Sequence, residues 1–224
     1  MAAGAPRRSK LYDPGCVRCP RLAAFLADVR ARHPTYWARP VAPFGVSAPR
    51  ILLVGLAPGL HGANRTGRPF TGDFAGILLY ETLYEFGLAT RPQSIAADDG
   101  LALVEARITN AVKCLPPANK PLPQEMRCCN DYLANELAAL PSVRVILALG
   151  RIAHEAAVLA LGLRRSAHPF AHAREHALGT RLLLDSYHCS RYNTQTRRLT
   201  ATMFKAIVAR ACVLARLDQN VTHI

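Results

Sequence analysis

The sequence predicts an α/β domain with a mainly parallel, four-stranded sheet covered by helices on both faces. Short unbroken apolar runs of buried-strand type alternate with segments whose apolar residues recur at helical spacing. Three of the runs lead directly into long polar segments rich in glycine, proline or arginine. In sheets of this class such segments converge on one crevice at the carboxyl ends of the strands.

The elements follow in order. ILLVG at 51–55 is the first strand. FAGILLYETLYEFG at 74–87 sets Phe74, Ile77, Leu78, Tyr80, Leu83 and Tyr84 on a helical stripe that stops at Gly87. RITNAV at 107–112 is the second strand, and LPQEMRCCNDYLANELAAL at 122–140 is a helix with Pro123 in its first turn. VRVILALG at 143–150 is the third strand, followed by the helix RIAHEAAVLALG. RLLLDSYH at 181–188 is the fourth strand, and 193–217 reads as one long amphipathic helix. The first dozen residues and the stretches 91–100 and 164–180 read as flexible.

Twenty-eight basic residues against 15 acidic ones give a net charge of +13 on 224 residues. Only Lys10, Lys113, Lys120 and Lys205 are lysines; the other basic residues are arginines, which recognise phosphate bidentately. Such a field steers polyanions to the surface, so nucleic acid leads as partner, ahead of an anionic membrane surface. With 50% hydrophobic residues the chain is no disordered basic tail, and it is long enough to bury a core as one large domain or two small ones. Its longest apolar stretch, 143–150, falls far short of the ~20 residues a membrane helix needs. The basic opening MAAGAPRRSKLYDP leads into no signal-peptide core, so a cytoplasmic location is expected.

In GLAPGLHGANRTGRPFTGD at 55–73, five glycines between Gly55 and Gly72 let the backbone approach an anion or a flat ring closely. The loop ends in no Gly-Lys-Ser/Thr triplet and lacks the spacing of a dinucleotide fingerprint. Asn64, Arg65, Thr66, Arg68 and Asp73 are candidates to face a ligand; a solvated excursion is the plain alternative. Phe70, an aromatic in a polar stretch, either stacks on a base or plugs the loop onto the domain. KCLPPANKP at 113–121 and SYHCSRYNTQTRR at 186–198 are the other two segments. His188 lies at a strand end, where an imidazole can donate to a developing oxyanion. Arg191, Arg197 and Arg198 are placed for phosphates. His168, His172 and His176 are spaced by four, but Pro169 breaks a shared helix and favours a solvated loop.

Seven cysteines in a cytoplasmic chain suggest ligands or packed thiols rather than disulfides. Cys16 and Cys19 form a CxxC pair, and Cys114 with Cys128 or Cys129 could complete four ligands. That split spacing suits an iron–sulfur cluster as well as zinc. Cys189 and Cys212 read as packed thiols.

Together these blocks resemble the signature segments of the type-b (family 5) uracil-DNA glycosylases, in order from the CxxC pair to about residue 200. The resemblance implies one α/β/α sandwich over 1–224; residues 1–12 read as flexible, and a monomer is the default expectation. It implies excision of uracil from double-stranded DNA, with hypoxanthine and other deaminated bases as additional substrates. It also implies a [4Fe–4S] cluster on Cys16, Cys19, Cys114 and Cys129. Phe70 would stack on the flipped uracil and Asn110 would read its edge. Backbone N–H groups around Ala57 and Gly59, with the His188 side chain, would stabilise the leaving base. Asp73 would position or deprotonate the attacking water, with Asn119 assisting. Arg68, Arg191 and Asn193 would contact DNA. Leu56-Ala57 stands where neighbouring families carry an acidic or amide residue, which shifts the chemistry to Asp73. Two alternatives remain open on the residues alone: a non-catalytic nucleic-acid-binding module with a structural metal, and a hydrolase of free nucleotides.

Overall fold

The computed structural model describes residues 11–216; the expected flexibility of 1–12 falls mostly outside that range. Four parallel strands form the centre of the sheet: β2 (Ile51–Gly55), β3 (Ala106–Asn110), β4 (Val145–Leu149) and β6 (Arg181–Ser186). These are the four strands expected. Among the described residues the sheet nevertheless has six strands; with β1 (Phe44–Gly45) and β5 (Glu175–Leu178) the order is β1-β3-β2-β4-β6-β5. These two antiparallel edge strands add to either side. The four-stranded expectation is corrected because β1 is too short to show periodicity and β5 lies in a stretch that reads as loop. Leu178 pairs with Arg181 across a tight turn whose Gly179 has a positive φ of 70°.

β2 and β4 are buried at every position, as expected of parallel strands with helices on both faces. One face carries α3 (Phe74–Glu85) and α7 (Ala201–Leu214), whose Leu79, Leu83, Phe204 and Ile207 pack on Leu53 and Leu147. The other carries α4 (Pro123–Ala139) and α5 (Arg151–Ala160), packed on Leu52, Val54 and Ile146. The sequence signals do not reveal α1 (Pro20–Arg32), which starts on Pro20 behind the N-cap Cys19. A short α2 (Ala63–Thr66) lies inside the glycine-rich loop.

The single helix expected over 193–217 is two helices, α6 (Arg191–Gln195) and α7. Each has its own hydroxyl cap: Ser190 Oγ accepts from the Asn193 N–H, and Thr200 Oγ from that of Met203. Arg197, at φ 57°, breaks the chain between them. The stretch 91–100 is tied down rather than loose: Asp99 accepts from the N–H groups of Ile95, Ala96 and Leu101, and Ser94 Oγ lies 2.7 Å from Thr71 Oγ1.

Candidate active site

The loops leaving β2, β3 and β6 enclose a pocket of about 420 Å³ at the carboxyl ends of the strands, within the usual range for small-molecule sites. Ala57, Gly59, Phe70, Asp73, Asn110, Asn119, His188 and Arg191 all line it. Every expected catalytic and substrate-binding residue is therefore brought together, with one of the three expected DNA contacts.

Asp73 reaches the pocket because it is the N-cap of α3; its Oδ1 accepts from the Gly76 N–H at 2.9 Å. Oδ2 lies against the glycine-rich loop, where a Cβ on Gly62 would come within 2.4 Å of it. Burial raises the Asp73 pKa above its ordinary value, against the lowering effect of the Gly76 and Ala75 N–H groups. Phe70 has a positive φ of 54°, and its carbonyl packs so close to Gly76 that a Cβ there would lie 1.8 Å from the oxygen. Its ring stacks near that of His188, with centroids 5.8 Å apart and planes 26° from parallel.

Desolvation lowers the His188 pKa to about 4, so the imidazole is neutral at physiological pH. The Asn110 side-chain oxygen is buried and has no hydrogen-bond partner among the described residues. Gly55 makes room for it: a Cβ there would meet that oxygen at 2.4 Å and the Phe70 ring at 2.7 Å. Among the described residues, the N–H groups of Ala57 and Gly59 donate to no backbone carbonyl, and Pro58 between them has no N–H. Asn119 stands in left-handed conformation, φ 55°, at the end of a short 3₁₀ turn, Pro117–Asn119.

The expectation for Arg68 is corrected. It is 4% exposed, its Nη2 is 2.6 Å from Asp99 Oδ1, and its guanidinium lies 4.8 Å from the centre of the Phe44 ring. A guanidinium so enclosed ties 91–100 to the glycine-rich loop and is not presented to a DNA backbone. Asn193 sits beside an adjoining cleft, where its Nδ2 donates to the His188 carbonyl at 2.8 Å and fixes that turn. Phe74, expected only as a helix residue, also lines the pocket, with the Arg191 guanidinium 5.0 Å from its ring centre. Its position directly after the Asp73 cap was the available signal.

The histidine-rich stretch is also corrected. His176 is buried on β5, not solvated, and its Nε2 lies 3.2 Å from Asp185 Oδ2. His154 Nδ1 lies 2.7 Å from Asp185 Oδ1, and its Nε2 2.7 Å from the His168 carbonyl. Both partners are acceptors, so His154 satisfies both only as the imidazolium. Burial opposes that charge, yet Asp185 raises the pKa overall.

Cys16, Cys19, Cys114, Cys128 and Cys129 surround a second, smaller pocket between α1, the end of β3 and α4. Cys129 is buried, and its Sγ accepts from the Lys113 N–H at 3.3 Å. Cys128 is partly exposed, with its Sγ 3.9 Å from the Arg18 carbonyl. Burial pushes the Cys19 thiol up to about 12, helped by Cys128, and raises Cys114 and Cys129 as well. What sets these thiols apart is their convergence on one small pocket, a donor set that suits a metal or cluster. Cys189 and Cys212 are buried in the core, as expected of packed thiols.

An α/β/α sandwich with a net charge of +13 and a pocket of about 420 Å³ at its strand tips has the crevice in which open α/β folds bind their ligands. The family model of the Uracil DNA glycosylase superfamily matches residues 42–212. A type-5 uracil-DNA glycosylase of Thermus thermophilus is 53% identical over 208 residues, covering 90% of this chain and 94% of that protein. One from Pyrobaculum aerophilum is 41% identical over 88% of this chain and 87% of its own length. A type-4 uracil-DNA glycosylase of Archaeoglobus fulgidus is 39% identical over 104 residues, 46% of this chain and 44% of that protein. The chain belongs to the uracil-DNA glycosylase superfamily, in its type-5 branch.

Proposed function

We propose that this chain is a DNA-repair glycosylase that removes uracil from DNA by hydrolysing the N-glycosidic bond, leaving an abasic site. The observation that carries the reading is the single pocket shared by Asp73, His188, Asn110 and Phe70. A base inside a duplex is out of reach of such a pocket, so the nucleotide is extruded, most cheaply at a mismatch such as uracil opposite guanine. Phe70 supplies a face for the base, and the unpaired Asn110 oxygen accepts from N3–H of uracil, an atom that carries no hydrogen in cytosine. As the bond breaks, its electron pair moves onto the base and positive charge develops on the sugar. The N–H of neutral His188 and those of Ala57 and Gly59 donate to the anionic base. Asp73, costly to ionise in its half-buried setting, gains most when it faces the sugar cation and orients the water that attacks the anomeric carbon.

Double-stranded DNA carrying uracil or other deaminated bases is the substrate class, with the monomer as acting unit and the cytoplasm as location. Arg191 meets the backbone at the pocket mouth, and Asn119 supports the water. Hypoxanthine enters this reading only as an additional base. The fourfold thiol set of Cys16, Cys19, Cys114 and Cys129 holds a [4Fe–4S] cluster in this reading, supported by the convergence of the thiols and the N–H bond to Cys129. Bound there, the cluster would fasten α1 to the β3 end and α4; no step of the hydrolysis uses it. Incubation with uracil-containing duplex, undamaged duplex and deoxyuridine monophosphate tests the function. Free uracil is expected from the first alone. Release from the nucleotide would indicate nucleotide metabolism, and release from none a binding module.

A further inference from the structure

At the opposite end of the sheet, the amino ends of three neighbouring strands carry arginine in one row. Ile51 pairs with Val145, and Val145 with Leu182, so Arg50, Arg144 and Arg181 occupy the preceding position on β2, β4 and β6. The Arg144 N–H donates to the Arg50 carbonyl at 2.9 Å and the Leu182 N–H to the Arg144 carbonyl at 2.8 Å, which fixes this register. Adjacent strands lie ~4.8 Å apart, and like charges at such neighbouring positions repel. Arg216, after α7, joins them around a pocket of about 450 Å³. None of the four has a carboxylate partner among the described residues, and no acidic residue lines the pocket. Arg181 is fixed by donating Nη2 to the carbonyls of Leu137 and Leu140 at the end of α4; the guanidinium groups of Arg50, Arg144 and Arg216 have no hydrogen-bond or ion-pair partner among the described residues.

We propose that this pocket is a second phosphate-binding site, which takes the backbone of a nucleic-acid segment other than the one at the strand tips. Its ligand class follows from the donors: planar guanidinium groups converging on one concavity match phosphodiester oxygens, and that anion removes the repulsion the row creates. The two pockets lie at opposite ends of five-residue strands, about 17 Å of strand length apart. A straight duplex seated at one cannot enter the other, so the chain binds two duplex segments at once.

The test is stoichiometry. Sedimentation velocity of the full chain with a short undamaged duplex should give two duplexes per chain, and one for the triple variant Arg50→Glu/Arg144→Glu/Arg216→Glu. That variant should excise uracil from a short duplex within about two-fold of the unaltered rate, and Arg→Gln at the same three positions should act in the same direction if charge reversal impairs folding. One duplex per unaltered chain, or two on both proteins, overturns the proposal. Thermal stabilisation by inorganic tripolyphosphate that the variant loses, with one duplex bound throughout, would assign the pocket to a free phosphate compound and overturn the nucleic-acid site. Stoichiometry is read without catalysis, so a failure of the glycosylase reading is distinguishable from a failure here.

Discussion

The Phe70 and His188 rings lie 5.8 Å apart and nearly parallel, though one comes from the loop after β2 and the other from the end of β6. The two groups that would hold a base are thus set by each other as well as by their own loops. Phe70→Leu removes the flat face while leaving a bulky apolar side chain. Base stacking is worth ~1–3 kcal/mol, so excision should fall roughly 5- to 150-fold under subsaturating, single-turnover conditions. An unchanged rate would mean that Phe70 only packs the loop.

Two histidines should move stability with pH in opposite directions. His188 has a folded pKa of about 4, below the ordinary 6.5, so its unfolded form takes up a proton first as the solution acidifies. It therefore costs stability as pH falls from 6.5 to 4, by up to ~1.4 kcal/mol per pH unit. His154 has a raised pKa beside Asp185, so its contribution is present below 6.5 and is lost as pH rises through the folded value. Thermal melts from pH 4 to 8 should show a shallower acid limb for His188→Gln. For His154→Gln the deficit against the unaltered chain should be largest on the acid side.

Gly62→Ala should impair excision more than folding. The added methyl would sit 2.4 Å from Asp73 Oδ2 and 2.5 Å from its Cβ, forcing the carboxylate out of place. A loss of at least ten-fold in single-turnover rate is expected, with circular dichroism and duplex binding near those of the unaltered chain.

Protein isolated without oxygen should be brown and lose its colour in Cys114→Ser and Cys129→Ser. Cys212→Ser, buried in the core well away from the thiol pocket, should keep it. A colourless protein that holds stoichiometric zinc would reject the cluster.

Much of this architecture is legible in the sequence because it rests on local signals. ILLVG and VRVILALG are apolar runs too short for a buried helix and closed by glycine, so they read as buried strands, and Asp73 before Phe74 marks a helix start. The glycines that crowd Asp73 and Asn110 are visible as a cluster. What stays hidden depends on partners distant in the chain. Arg68 reads as a surface cation until Asp99, 31 positions on, is seen to pair with it. His176 reads as loop because its burial comes from Asp185 and His154 on other elements. The Arg50–Arg144–Arg181 row exists only in the strand register, which no local pattern encodes.

The most direct measurement is the single-turnover rate of uracil release by Asp73→Asn. Asparagine keeps an oxygen for the Gly76 N–H and removes a carboxylate that is unfavourably buried, so the variant should melt no lower than the unaltered chain at pH 7. Its rate should nevertheless drop by two orders of magnitude or more. Release within a few-fold of the unaltered rate would contradict the role of this carboxylate and the chemistry built on it.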